Sequence, residues 1–429
     1  MKVLHVIHSL DPRSGGPSHA LRGLVRAQVA AGHQVAVLAT DVQSAEPWAD
    51  RDDYARRIRD DVDLAGAEVV LGRAYGRHRP WSRFSYTPAG GRWLRARLSD
   101  PRAAPNVIHI HGVFSHLTTL AATLARRFRV PYVVRPAGSF DPICLQMGSA
   151  RWKRAFCALL VRRDLRQAAA VQATSPAEAV ALGPWADPAK IRVVPHGVAV
   201  PDSDTASAQA ELLGRFPQLR GRRVILFLSR VAAKKRPDLL AKAVHLAQCE
   251  NEPLALLIAG QDAGHLPQLQ YTVHRLGMDN DVAYCGFLEG EAKAAAFGLA
   301  EMLVLPSLNE NFGVAVVEAL AHGVPAVVTS GVAAHVYVDE SGCGLTVDDS
   351  PQALADGICR VLAADRAQMG AKGRAYAIDH LSWPAVARLM DELYDEIVGG
   401  FVGRVEPRPS PAHETTRVPA GFAKHVDQL

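Results

Sequence analysis

Buried-strand patterns alternate with helix patterns along this chain in two separate series, and this alternation narrows the fold more than any other feature. In the first series Lys2–His8 (KVLHVIH) reads as a strand. Ser18–Ala31 reads as a helix with Leu21, Leu24, Val25 and Gln28 near one face, and Gln34–Ala39 as the returning strand. Glu68–Leu71, Asn106–Gly112, a strand and loop over Tyr132–Pro142, Ala170–Thr174 and Ile191–Val194 continue it. The second series places strands at Arg223–Leu228, Leu254–Gly260, Val282–Gly286, Met302–Leu305, Ala326–Val328 and Gly342–Val347. Helix patterns over Pro237–Cys249, His265–Gly277, Glu291–Leu299 and Val314–Ala321 separate them, and helices from Pro351 and Arg366 follow. Apolar runs this short and continuous belong to strands covered on both faces, as in a parallel sheet wrapped by helices. Two such series predict an α/β protein of two doubly wound domains facing a cleft.

The joint between the series is Val198–Ala210 (VAVPDSDTASAQA), rich in small and polar residues and read as a linker. Residues 1–198 then form the first domain and 211–383 the second. Trp383-Pro384 introduces a last helix, 384–398, which completes the first domain, with Pro384 at its start and Gly399-Gly400 as its stop. The Pro-, Arg- and Thr-rich stretch 399–429 is expected to be disordered. A chain of 429 residues is too long for one ordinary core. Its 48 Lys and Arg against 43 Asp and Glu give a mild +5, which by itself does not imply nucleic acid as a partner. The cysteines at 144, 157, 249, 285, 343 and 359 form no CxxC pair or metal spacing, and read as reduced thiols of a cytoplasmic protein. Met1-Lys2 runs straight into a strand pattern, arguing against a signal peptide, and no apolar run approaches the ~18 residues that span a bilayer.

Chemistry concentrates in Pro306–Thr329, PSLNENFGVAVVEALAHGVPAVVT. A polar loop, Ser307–Asn311, leads through Phe312-Gly313 into the helix pattern Val314–Ala321. The N-terminus of such a helix attracts anions through unpaired N–H groups and its dipole, and Gly313 lets a ligand approach the backbone. Glu310 and Glu318 are eight residues apart and span on the order of 10 Å at ~1.5 Å per residue, too far to share a proton. They suit two acceptors gripping separate hydroxyls of one extended ligand. Glu318 interrupts apolar neighbours, so it needs a partner. Ser229–Pro237 (SRVAAKKRP) follows the second series' first strand, where Arg230 and Lys235 would neutralise a diphosphate.

In the first series, Gly15-Gly16 lie in the first strand-to-helix turn. That turn lacks both GxGxxG and a P-loop lysine, so it reads either as a tight turn or as a backbone approach to a diphosphate or acceptor. Period two puts His109 and His111 on one side of their strand. Gly112 sets His111 at its carboxyl end, where it is either structural or orients a hydroxyl or sugar. Arg151–Arg166 (RWKRAFCALLVRRDLR) carries six bases and one acid, and turns Trp152, Phe156, Leu159 and Leu160 to one side. It reads either as a core helix with a solvated back or as a surface resting on anionic lipid or lipid-linked phosphate.

Arg230, Lys235, Glu310 and Glu318, in this order and context, resemble the retaining glycosyltransferases of family 4, which have the GT-B fold of two Rossmann-like domains. The likeness extends nearly to residue 398 and includes Gly15-Gly16, His111-Gly112 and the Pro195–Gly197 turn. It implies an enzyme that moves a sugar from a nucleotide-sugar donor to a sugar or lipid-linked acceptor in surface-polysaccharide synthesis, at the inner face of the plasma membrane. It implies that Arg230 and Lys235 bind the diphosphate. Glu310 contacts sugar hydroxyls with the N–H groups of Asn311, Phe312 and Gly313, and Glu318 takes the ribose hydroxyls. Gly16 lies near the phosphates, His111 near the sugar, and Gly286-Phe287 beside the base. Two positions depart from the pattern: Arg236 where a glycine often follows the lysine, and His196 where asparagine often precedes Gly197. No DxD motif stands near a strand end, so catalysis is expected to need neither metal nor cofactor. A nucleotide-sugar epimerase and a non-catalytic sugar-nucleotide binder are the alternatives.

Overall fold

The computed structural model describes residues 1–12, 16–43, 50–75, 86–140, 160–201, 205–247 and 253–402. The chain divides into two compact units, Met1–Gly197 with the segment from Val386 onward, and Val198–Ala385.

The first unit is built on a seven-stranded sheet: β1 (Lys2–Ser9), β2 (Gln34–Thr40), β3 (Glu68–Gly72), β4 (Val107–His111), β5 (Tyr132–Arg135), β6 (Ala170–Ala173) and β7 (Ile191–Val193). Its order is β3-β2-β1-β4-β5-β6-β7, and every pairing is parallel. The chain winds outward from β1 to β3, then returns to the other side of β1. The winding therefore reverses between β1 and β4, which is where open parallel sheets leave a crevice at the strands' carboxyl ends.

The second unit repeats this plan with β8 (Arg223–Leu228), β9 (Leu254–Ala259), β10 (Val282–Gly286), β11 (Ala300–Leu305), β12 (Ala326–Thr329) and β13 (Gly344–Val347). The order β10-β9-β8-β11-β12-β13 is again parallel throughout, with the reversal between β8 and β11. All six residues of β9 are buried, as a central strand covered by helices on both faces requires. Several helices start at a side-chain cap. The hydroxyls of Ser115, Ser175 and Ser350 each accept the N–H three residues on, at 3.1 Å.

Several expectations change. Helices Pro88–Ser99, His116–Arg127 and His335–Ser341 have no counterpart in the sequence reading. The last is short, and the first two carry Gly, Thr or Arg among their apolar positions, which blurs the period. The stretch read as a linker is partly ordered: Val198 donates to Leu381 at 2.8 Å and bridges Ser382, and Ala206–Arg215 is helical. The second unit therefore begins at Val198 rather than at 211. Gly399-Gly400 does not stop the last helix, which runs from Trp383 to Val402. Two glycines weaken a helix by about 1 kcal/mol each, less than the anchoring of the buried turns before them. Leu21, Leu24, Val25 and Gln28 are all buried as the helical period predicts.

Gly15, residues 151–159 of the basic stretch, and 403–429 lie outside the described residues. The helix Arg162–Gln167 lies within them, and its Asp164 is tied to Arg126 at 2.6 Å. Among the described residues, Cys285 and Cys343 are free thiols, and no helix is long and apolar enough to cross a membrane.

Candidate functional site

The reversal between β8 and β11 sets the two charged loops of the second unit side by side. After β8 the chain makes a single 3-10 turn, Ala233–Lys235. It leaves this turn through Arg236 at φ 54°, the left-handed region that a side chain occupies at a cost of roughly 1–2 kcal/mol. Glycine avoids that strain, which gives a physical reason for its frequency at this position. Arg236 itself is pinned by an ion pair to Asp349.

After β11, the Leu308 N–H donates to the Lys234 carbonyl at 3.0 Å, joining the loops through their backbones. The Glu310 carboxylate pairs with the Lys235 ammonium. The loop is fixed from behind: the Glu310 N–H donates to the Gly331 carbonyl at 2.8 Å, and the Phe312 carbonyl accepts from Ala334 at 2.7 Å. Gly313 adopts φ 96°, and a Cβ there would lie 2.7 Å from Val332 Cγ1. Glycine is thus required both by conformation and by space. The helix Val314–Ala321 starts directly after it, so its first-turn N–H groups border the loop.

The electrostatics favour an incoming anion. The Lys235 side chain is only 5% exposed. Burial, then the nearby Lys234 and Arg230 cations, lower its ammonium to about 7, while the Glu310 carboxylate against it pulls the other way. Arg230 is exposed. Glu318 has the partner its position demands: Lys293 Nζ, from the helix Gly290–Leu299, donates to its Oε1 at 2.7 Å. Lys293 was missed in the sequence because nothing in a run of alanines marks one lysine. Gly286 closes β10 at φ 73°, its carbonyl accepting from Gly260 at 2.7 Å, and Phe287 beyond it is 66% exposed.

In the first unit, Gly16 opens the helix Gly16–Ala30, with open space where its Cβ would be. His109 and His111 do share a side of β4, their rings stacked at 4.1 Å. Both are buried, and His5 of β1 joins them, another residue the sequence did not mark beyond its strand. His5 Nε2–H donates to Gln28 Oε1 at 2.7 Å, which leaves His5 Nδ1 to accept from His111 Nε2–H at 3.0 Å. His109 Nδ1 shares a 2.7 Å hydrogen bond with the Tyr394 hydroxyl. Burial brings His5 down to about 4 and holds His109 and His111 well below the usual histidine range. His5, His109 and His111 offer nitrogens close enough together for a metal. Both nitrogens of His5 are already engaged in hydrogen bonds, so the cluster is accounted for as a neutral hydrogen-bonded stack. The structure thus places His111 inside the unit at 2% exposure.

A parallel-sheet unit carrying a buried lysine, an exposed arginine and two loop-and-helix carboxylates at its winding reversal defines a doubly wound α/β protein with a charged site at its strand ends. Residues 15–197 match the family model "Glycosyl transferase 4-like domain", and residues 214–376 match "Glycosyl transferases group 1". The chain belongs to the group 1, or family 4, glycosyltransferases of GT-B fold. It is similar to the D-inositol 3-phosphate glycosyltransferase of Corynebacterium jeikeium, 31% identical over 244 residues that cover 54% of this chain and 55% of that one. It is also similar to that of Segniliparus rotundus, 32% identical over 211 residues, 47% and 46% of the two chains. The chain thus spans about half the length of the curated relatives it matches. Among solved structures, Anabaena Alr3699/HepE in complex with UDP and glucose aligns with a TM-score of 0.67 and 17% identity, over 92% of this chain and 100% of that one. Sucrose-phosphate synthase of Thermosynechococcus elongatus gives 0.65 and 21%, over 93% and 99%. Likenesses at this identity establish the fold.

Proposed function

We propose that this protein transfers a sugar from a nucleotide-sugar donor, held by the Val198–Ala385 unit, to an acceptor held by the first unit. The observation that carries the reading is the buried Lys235 ammonium, set against Glu310 with Arg230 nearby, beside the first turn of the helix Val314–Ala321. As the glycosidic bond to the donor breaks, negative charge grows on the leaving diphosphate. Lys235, Arg230 and that helix N-terminus would stabilise it, which supports a reaction without a divalent metal. Glu310, displaced from Lys235 by the phosphates, then holds sugar hydroxyls, and Glu318 the ribose. The sugar's configuration is retained by attack on the face the diphosphate leaves, with the departing phosphate taking the acceptor's proton.

The acceptor is a lipid-linked or polysaccharide intermediate at the cytoplasmic face of the membrane. The relatives' names, which carry an inositol phosphate, favour a small phosphorylated polyol as the second reading. Incubation with UDP-, GDP- and ADP-sugars and both acceptor types, with product analysis, tests the proposal. Transfer that disappears in a folded Lys235→Ala variant supports it, and undiminished transfer in that variant refutes it. An epimerised donor formed without any acceptor would replace it with the epimerase reading. Charge reversal at Arg162 and Arg163 should weaken binding to anionic vesicles if this surface meets the membrane, and unchanged binding excludes that contact.

A further inference from the structure

One buried charge in the first unit has no partner among the described residues. Arg135 is the last residue of β5 and 5% exposed. Its guanidinium makes no hydrogen bond or ion pair among the described residues, and its Nε is fully enclosed. The carboxylate whose field it feels is Glu178. That carboxylate is already committed, accepting from the Gly138 N–H at 2.5 Å and from the Thr174 N–H and hydroxyl at 2.7 and 2.6 Å.

The other neighbours do not compensate. Arg135 pairs in register with His111, so its side chain leaves the face of the sheet that carries the histidine stack. His109, His111 and His196 are each held neutral chiefly by burial, with the positive charge of Arg135 adding to the effect. An ion taken out of water costs several kcal/mol unless an opposite charge meets it. A guanidinium in this state is a donor fork shaped for an oxyanion that the described residues do not supply.

The location suits a ligand. Arg135 ends its strand at the carboxyl edge of the sheet, one strand from the winding reversal between β1 and β4. His196, which feels its charge, donates through Nδ1 to the Gly197 carbonyl at 2.7 Å and also reaches the backbone of Gly16. Gly16 begins a fifteen-residue helix, whose N-terminus is a second attraction for negative charge. The His5–Gln28 hydrogen bond leaves His111 Nδ1 as a lone pair without a partner among the described residues, able to accept from a hydroxyl beside the anion.

We propose that Arg135 anchors an oxyanion-binding site in the first unit that receives a phosphate or carboxylate group carried by the acceptor. The proposal rests on the reading of this unit as the acceptor side.

The test is calorimetric titration of inorganic phosphate, and separately of acetate, into the full chain already saturated with whichever of UDP, GDP and ADP it binds, so that the diphosphate loops are filled. Wild type should bind at least one of the two, and whichever binds more tightly identifies the group. Arg135→Met should weaken that binding at least tenfold, and Arg135→Lys should keep part of it. Arg135→Met should also melt no lower than wild type in anion-free buffer, because it removes an uncompensated charge. Failure of both anions to bind wild type, or equal binding by Arg135→Met, overturns the proposal. Should Arg135→Met not fold, a folded Arg135→Lys variant that keeps only part of the binding would support it, and one that binds as wild type does, or a wild type that binds neither anion, would overturn it. Absence of binding by all of UDP, GDP and ADP would instead strike the glycosyltransferase reading, and the anion titrations on the bare chain would still decide on Arg135.

Discussion

Lys235 and Glu310 hold one another across two loops from neighbouring strands, a lysine 5% exposed against a glutamate 25% exposed. The pair occupies the place where a donor's phosphates and sugar are proposed to sit. Ligand binding must therefore separate it, and substitutions on the two sides should act differently. Lys235→Ala should lower kcat/KM for sugar transfer by roughly 100- to 1000-fold, the loss typical of a removed transition-state charge contact. Glu310→Gln should cut turnover comparably yet bind UDP alone more tightly, because a competing carboxylate is gone. Steady-state kinetics and UDP titrations of both variants check this.

The same lysine gives UDP binding a pH signature. Burial lowers its ammonium to about 7, so in the free protein it loses its proton progressively above that pH. A diphosphate requires the charged form, so binding above pH 7 takes up a proton and affinity falls as pH rises, by up to about tenfold per unit. Titration calorimetry in buffers of different ionisation heat reads the proton directly, and Lys235→Arg should abolish the uptake.

Acid should destabilise the first unit. His5, His109, His111 and His196 all have folded values below 6.5, with His5 at about 4 and His196 at about 3. A group depressed in this way binds its proton in the unfolded chain first. Stability is therefore intact above about 6.5 and falls as pH drops toward 4, by up to about 1.4 kcal/mol per pH unit per histidine. Melting curves between pH 7 and 4.5 measure the slope, and His5→Leu should reduce it by one proton's worth.

Lys293 should act through Glu318. Removing its 2.7 Å contact in Lys293→Met frees the carboxylate from one orientation. The expected result is a KM for the donor raised about tenfold, equivalent to about 1.4 kcal/mol, with kcat nearly unchanged. Lys293→Arg should recover most of it.

Gly313→Ala should be costly for both fold and binding. Its φ of 96° and the 2.7 Å approach of Val332 Cγ1 leave no room for a methyl group. Destabilisation of about 1–3 kcal/mol in urea melts, with loss of UDP binding, is expected.

The periods of apolar residues made both sheets legible, because a strand buried on two faces leaves an unbroken apolar run. The helix carboxylate was legible for the opposite reason: Glu318 stood out among Val316, Val317, Ala319 and Leu320. Its partner Lys293 was not, since a lysine on a helix carries no mark of what lies across from it. Arg135 could be seen in the sequence as a charge ending the run Tyr132–Val134. Its isolation could not, because that depends on Glu178 being occupied by Gly138 and Thr174. Helix ends were the least legible, as Gly399-Gly400 shows, where docking of earlier turns outweighs local preference.

The Leu308 N–H bound to the Lys234 carbonyl ties the proposed phosphate grip to the proposed sugar-facing loop through their backbones. On that reading, reshaping one of them for a new donor would disturb the other. Variation toward a new sugar would have to come from side chains around this fixed frame, or it would disturb the anchoring of the nucleotide along with its selection.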